Sequence, residues 1–130
     1  MVDGKKLDRE FNRYMDLYKS DKELGQLMLK LSYQELFNDK FLQENSRFKN
    51  LDDILFRGGF GLTNPMEIEQ VNQDKWNEYI AAYTDCRTWH QFGKLAMVDW
   101  MKTVVRLVGQ AKKKEAEDKK HGGEGNKADQ

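Results

Sequence analysis

The chain is poor in the residues that build disulfide scaffolds, metal centres and fibrous proteins. It has one cysteine, one proline and two histidines among 130 residues. A single cysteine excludes an intramolecular disulfide and a zinc site built from several thiolates. Two histidines are too few for a histidine-rich metal site, so we expect neither a metal nor another cofactor. With ten glycines, the composition is also far from that of a collagen-like or low-complexity chain.

The sequence also lacks a net charge and a long hydrophobic run. Its 22 basic and 22 acidic side chains cancel, which argues against a protein that works mainly as a polycation on nucleic acid or acidic lipid. The longest strongly apolar stretch, residues 95–108, is interrupted by Asp99, Lys102 and Arg106 and is too charged to span a bilayer. The N-terminus is polar, and no apolar signal region follows it. We therefore expect a soluble, cytoplasmic protein with no membrane partner.

The spacing of apolar residues is helical nearly throughout the chain. No stretch alternates apolar and polar residues for long, as a strand does. The spacing predicts helices over about residues 4–19, 21–45, 51–57, from 65 onward and 87–112. It leaves open a bend of the second helix near residues 38–39 and a break in the fourth helix at Asn72. The widest apolar stripe lies on the last helix, as in the central helix of a bundle. The predicted fold class is all-α: a compact bundle of about five helices with a disordered, charged C-terminal tail.

Short local signals mark several helix ends. Asn64 is a capping residue, followed by a proline at the first helical position and a glutamate at the third. Ser20 and Thr88 each fit a capping box, with a glutamate or glutamine three residues later. The glycine-rich run of residues 58–61 lacks the lysine and the serine or threonine of a P-loop. We therefore interpret it as a helix stop and turn rather than as a phosphate cradle.

The length of the chain corresponds to one domain. We assign residues 1–4 to a flexible N-terminus, residues 5–109 to the helical bundle, and residues 110–130 to a charged helical extension and disordered tail. The last boundary follows from an abrupt loss of apolar residues after Gly109. Charge pairs at helical spacing favour a helix to about Lys120, and we expect the residues beyond it to be disordered.

The pair Cys86 and His90 is the one hint of catalysis in the sequence. Four residues apart on a helix, the two side chains share a face, which permits a thiolate–imidazolium pair. The alternative is a buried, unreactive cysteine beside a hydrogen-bonded histidine near the surface. Two ligands alone make no metal site. We therefore expect a non-enzymatic protein without catalytic residues.

Large apolar side chains are more numerous than four or five short helices readily hide. The chain has three tryptophans and six methionines, and both types are common where proteins dock to one another. We expect an interaction module, either a homo-oligomer or an adaptor subunit, that docks through an apolar face of the last helix. The expected contact residues are Trp89, Phe92, Met97, Trp100 and Met101.

Association with nucleic acid is the alternative function. Residues 87–112 carry five cationic side chains against one acidic side chain, Asp99, and interleaved aromatic rings suit base stacking. This basic face comprises Arg87, Lys94, Lys102, Arg106, Lys112, Lys113 and Lys114. Binding through it would weaken steeply with salt, whereas the helical periodicity places most of the rings inside a bundle.

Overall fold

The computed structural model describes the backbone of residues 2–125 and the side chains of residues 2–115. Within this part of the chain the backbone forms seven α-helices, one 3-10 helix and a single isolated bridge between Ser46 and Thr84, which confirms the all-α class. The elements are α1 (Gly4–Ser20), α2 (Lys22–Leu29), α3 (Tyr33–Leu36), α4 (Asp39–Asn45), α5 (Leu51–Arg57), the 3-10 helix (Pro65–Gln70), α6 (Gln73–Tyr83) and α7 (Trp89–Gly125). None of these helices has both the length and the apolar composition required to cross a membrane.

The segment predicted as one helix over residues 21–45 forms three helices, α2, α3 and α4, so that prediction is wrong. Asp21, Ser32 and Asn38 each begin a new helix by accepting a hydrogen bond from the backbone N–H three residues ahead, at 2.9 to 3.2 Å. Such side-chain acceptors compete with the main chain, so they favour helix starts over helix interiors. Asp21 rather than Ser20 caps α2, because the Ser20 hydroxyl donates to the Leu17 carbonyl instead.

Other local signals act where the sequence predicts them. Asn64 forms the expected capping box, although the segment it opens is a 3-10 helix. Asn72 caps α6, so the break that the sequence leaves open is present. Gly59 and Gly61 both adopt a φ of 72°, a left-handed conformation that glycine reaches without strain. Together they turn the chain after α5 and pack Phe60 onto α6.

The core consists of two clusters of buried side chains on opposite sides of α7. The larger cluster is formed by residues of the segment 37–86 and meets α7 at Phe92 and Ala96. The smaller cluster is formed by α1 and α2 and meets α7 at Val98 and Met101. At 3.6 residues per turn these two pairs lie on opposite faces of the helix. Helix α7 is therefore the central element, as its wide apolar stripe predicts.

Helix α1 lies beside α7 and runs in the same direction. Near its start, the Val2 N–H donates to the Asp85 carbonyl at 2.9 Å. Near its end, the Tyr18 hydroxyl donates to the Met101 carbonyl at 2.8 Å. The terminus that we predict to be flexible is thus held by a backbone hydrogen bond from Val2 onward.

Helix α7 extends to Gly125, beyond the end near residue 112 that apolar periodicity predicts. Residues 109–115 are exposed, so helix propensity rather than packing supports this part of the helix. Disorder is predicted beyond about Lys120. Within that range, residues 121–125 belong to α7, and residues 126–130 lie outside the residues that the structure describes.

Candidate functional site

The five docking residues expected on the last helix do not form one exposed surface in the structure. Phe92 and Met101 are fully buried, one in each core cluster, so both are removed from the docking face. Trp100 is half-buried against the smaller cluster. Trp89 and Met97 are also half-buried, and both line the same cleft. The apolar stripe of α7 is thus real, but neighbouring helices cover it on two sides.

This cleft has a volume of about 800 Å³. Helix α7 contributes the largest share of its lining, and we call this α7 surface the floor; α1, α3, the 3-10 helix and α6 contribute the rest. The apolar lining consists of Phe11, Tyr33, Leu36, Phe37, Ile68, Trp89 and Met97, and the other lining residues are Glu69, Gln73, Asn77, Thr88, His90, Gly93 and Lys94. Clefts of this volume with apolar walls and a few polar groups are typical of binding sites.

A series of stacked aromatic rings forms part of the cleft. Tyr33 and Phe37 stack with their centroids 6.4 Å apart and their planes inclined by 15°. Phe37 stacks in turn on Trp89, at 4.9 Å and 20°. Phe37 is buried, whereas Tyr33 keeps 39% of its surface exposed. An exposed ring on a packed support offers a large contact area at low entropic cost. Tyr33 is a site residue that the sequence analysis misses, because its exposure depends on the unpredicted break before α3.

Gly93 leaves the floor of the cleft open. It lies one turn after Trp89 and one turn before Met97, so the three positions follow one line along α7. A Cβ atom at Gly93 would have no neighbour within 4 Å, whereas at Gly25 it would lie 3.1 Å from a backbone oxygen. Neither packing nor a left-handed backbone requires glycine at Gly93. Glycine in a helix interior costs about 1 kcal/mol relative to alanine, and here it keeps the floor accessible.

Most polar side chains of the cleft are already bonded within the chain. They are the Gln73 amide, the Asn77 carbonyl oxygen, the Thr88 hydroxyl and the Lys94 ammonium, with bonds of 2.9 to 3.0 Å. The Asn77 oxygen accepts from the Trp89 N–H, so α6 holds the start of α7 in place. Because these groups already have partners, the cleft favours ligands that bind through apolar contact.

Cys86 and His90 do not form a reactive pair in this structure. Cys86 is fully buried in the larger cluster, and burial raises the pKa of its thiol to about 11. His90 is exposed at the cleft. A thiol in this environment stays protonated near neutral pH and is a poor nucleophile. In the part of the chain that the structure describes, no three histidine, cysteine, aspartate or glutamate side chains are grouped to hold a metal ion.

The predicted basic face is partly neutralised by acidic residues of α1. Lys94 pairs with Asp8 at 2.9 Å, and Lys102 pairs with Glu10 at 2.6 Å. The hydrogen bond from Lys102 holds the pKa of Glu10 below its usual value. The other cations of the predicted set, Arg87, Arg106, Lys112, Lys113 and Lys114, are exposed. The two ion pairs reduce the positive charge that this face offers to phosphates.

No protein-family model matches the chain, and no match was found among curated proteins or solved structures. The functional interpretation therefore depends on the cleft itself.

Proposed function

We propose that this protein is a non-enzymatic interaction module that holds an apolar segment of a partner protein in the cleft over α7. The observation that carries the proposal is the open position at Gly93. Glycine there lowers helix stability and meets no packing need of the chain itself. It does create space for a side chain of a partner. Trp89 and Met97, the expected docking residues that line the cleft, border this space on the same helix.

The chemistry of the cleft supports binding rather than catalysis. Four of its polar side chains are bonded to other groups of the chain, and the nearby Cys86 thiol is buried and protonated. Affinity would come mainly from apolar contact, since burial of one leucine- or phenylalanine-sized side chain contributes about 1.5–3 kcal/mol. A few such anchors, offset by the cost of association, are consistent with a reversible interaction.

The test compares two variants that add the same side chain to the same helix. Gly93→Leu fills the cleft, whereas Gly109→Leu adds a leucine at an exposed position of α7 where a Cβ atom also meets nothing within 4 Å. Peptides are selected from a displayed library of random sequences on the immobilised full chain, and fluorescence polarisation gives their affinities. We expect apolar peptides that bind the wild type and Gly109→Leu equally. Their affinity for Gly93→Leu should be weaker by about tenfold or more, which corresponds to about 1.4 kcal/mol.

Thermal unfolding of both variants provides the control for folding, because a lost fold would also abolish binding. We expect both variants to unfold cooperatively at a temperature no lower than the wild type, since leucine favours a helix over glycine. If no peptide is enriched, or if the enriched peptides bind Gly93→Leu as tightly as the wild type, the proposal is wrong.

A further inference from the structure

We infer that the segment occupying the cleft is an amphipathic α-helix of a different protein, with a large apolar side chain seated over Gly93. This inference rests on the proposed interaction function and specifies the kind of partner. It follows from the bonded polar lining, from the secondary structure of the described residues, from the position of Gly93, and from the distribution of exposed apolar side chains.

Four polar side chains of the lining already have partners within the chain, which favours an occupant that satisfies its own backbone. An extended peptide brings an N–H and a C=O group at every residue, and each costs free energy if it loses water without gaining a partner. In the cleft, the Gln73 amide donates to two backbone carbonyls and the Asn77 oxygen accepts from a backbone N–H. Lys94 is held by Asp8. An α-helix pairs its backbone groups internally, so it enters an apolar cleft without this cost.

The secondary structure around the cleft does not offer the main alternative mode of peptide binding. Extended peptides commonly add a strand to the edge of a sheet. The described residues form helices and one isolated bridge at Ser46 and Thr84, neither of which lines the cleft. A helix about 10 Å across occupies roughly 420 Å³ per turn. The cleft volume of about 800 Å³ thus equals that of roughly two turns.

Gly93 has the position that a helix-packing contact requires. The axes of packed helices lie about 8–10 Å apart, depending on the side chains at the contact. A glycine at the contact permits the closer end of that range. Trp89 and Met97 border the space over Gly93 from one turn away on either side. The space between them is where a large side chain of the occupant packs.

The exposed large apolar side chains of residues 2–115 do not form such a helix in a second copy of this chain. The described residues include seven exposed large hydrophobic side chains, spread over six helical elements. Leu27 and Leu29 on α2 are the only two that share an element in the described part of the chain. A helix that docks in a groove needs apolar residues about every turn over two turns. The C-terminal residues 116–130 contain no apolar side chain larger than alanine, so the partner is a different protein.

The experiment uses the full chain and the peptides enriched in the selection described above. Each peptide is compared with a variant that carries a central proline, which breaks a helix. Circular dichroism of the mixture, less that of the protein, measures the helicity gained on binding, and light scattering gives the mass of the complex. We expect apolar residues at helical spacing, a gain in helicity, an affinity about tenfold or more weaker with proline, and a complex of one chain with one peptide.

The outcomes distinguish this inference from the proposed function. One outcome is that the peptides bind Gly93→Leu more weakly than the wild type, bind equally well with a central proline, and gain no helicity on binding. It would overturn the inference of a helical partner and leave the proposed interaction function intact. Peptides indifferent to Gly93→Leu would overturn both. The free wild-type chain could also self-associate. If Gly93→Leu then makes it monomeric and Gly109→Leu does not, a second copy occupies the cleft, and the inference that the partner is a different protein is wrong.

Discussion

Gly58 and Gly93 differ in what a methyl group would meet at each position. A Cβ atom at Gly58 would lie 2.7 Å from the ring of Phe60 and 3.0 Å from the ring of Tyr79. These two rings pack on each other with centroids 5.6 Å apart and also contact Trp76, so neither can move aside freely. At Gly93 the added atom would meet nothing within 4 Å. The surroundings of each glycine thus decide the sign of the same substitution.

Gly58→Ala is expected to lower the free energy of unfolding by about 1–3 kcal/mol, the usual cost of overpacking. Gly93→Ala is expected to raise it by about 0.5–1 kcal/mol, because alanine restricts the unfolded chain and favours a helix. Urea unfolding followed by far-UV circular dichroism measures both changes. Two changes of the same sign would contradict either the close contact at Gly58 or the open space at Gly93.

Tyr18 connects α1 to α7 through a buried hydrogen bond to the Met101 carbonyl, at 2.8 Å. Burial, with a smaller contribution from Tyr14, raises the pKa of Tyr18 from its ordinary value of 10 to about 12. The folded state therefore holds the phenolic proton more tightly than the unfolded state. The resulting stabilisation is complete below pH 10 and is lost as the pH rises through 12.

Tyr18→Phe is expected to lower the free energy of unfolding near neutral pH by about 1 kcal/mol, because the hydrogen bond is lost. It should also make stability fall less steeply between pH 10 and 12, the interval over which the wild-type residue titrates. Urea midpoints at several pH values in this interval measure both effects. Tyr33→Phe, at a ring that is 39% exposed, is the control. A variant that retains the full alkaline loss of stability would contradict the assignment to Tyr18.

Among the helices, single polar side chains decide where one element ends and the next begins. The Asn38 oxygen accepts from the Phe41 N–H, and the Asn38 amide donates to the Glu35 carbonyl, both at 2.9 Å. Asn38 therefore ends α3 and begins α4. Helix α3 itself has no buried residue, so its placement beside the cleft depends strongly on such capping contacts.

Asn38→Ala is expected to lower the free energy of unfolding by about 1–2 kcal/mol, the range found for lost N-terminal caps. Asn12→Ala, at an exposed position inside α1, is the matched control and should change it by less than about 0.5 kcal/mol. Urea unfolding of the two variants gives the comparison. Equal stabilities would mean that Asn38 does not act as a cap in solution.

In the whole molecule, α7 contributes to both core clusters. Phe92 and Ala96 belong to the larger cluster and Val98 and Met101 to the smaller one. Loss of either cluster would uncover one face of the helix on which the other depends. We therefore expect the two clusters to unfold together.

Single-tryptophan variants test this cooperativity. Trp76 lies in the larger cluster and Trp100 packs against the smaller one. Variants that retain one of the two, with phenylalanine at the other tryptophan positions, should each show a fluorescence midpoint in urea that coincides with the circular dichroism midpoint of the same variant. An earlier fluorescence midpoint for the Trp100 reporter would show that the smaller cluster unfolds separately.

The sequence by itself determined the features that depend on neighbours a few residues away. The capping box at Asn64 and the turn after α5 both arise from contacts within about one helical turn. The break at Asn72, which the sequence leaves open, is decided by the cap on α6. The width of the apolar stripe likewise identified α7 as the central helix. Residues 21–45 are wrongly predicted as one helix because apolar residues continue at helical spacing across Ser32 and Asn38, where capping outweighs continuation of the helix.

Only the tertiary structure decided which apolar residues remain accessible. Phe92 and Trp89 belong to one stripe in the sequence, yet Phe92 is buried between α7 and the larger cluster while Trp89 borders the cleft. The exposure of Tyr33 and the open space at Gly93 likewise depend on the packing of several helices. Burial of a side chain depends on contacts with segments that are distant in the chain. A periodic pattern in the sequence identifies only the apolar face of its own helix.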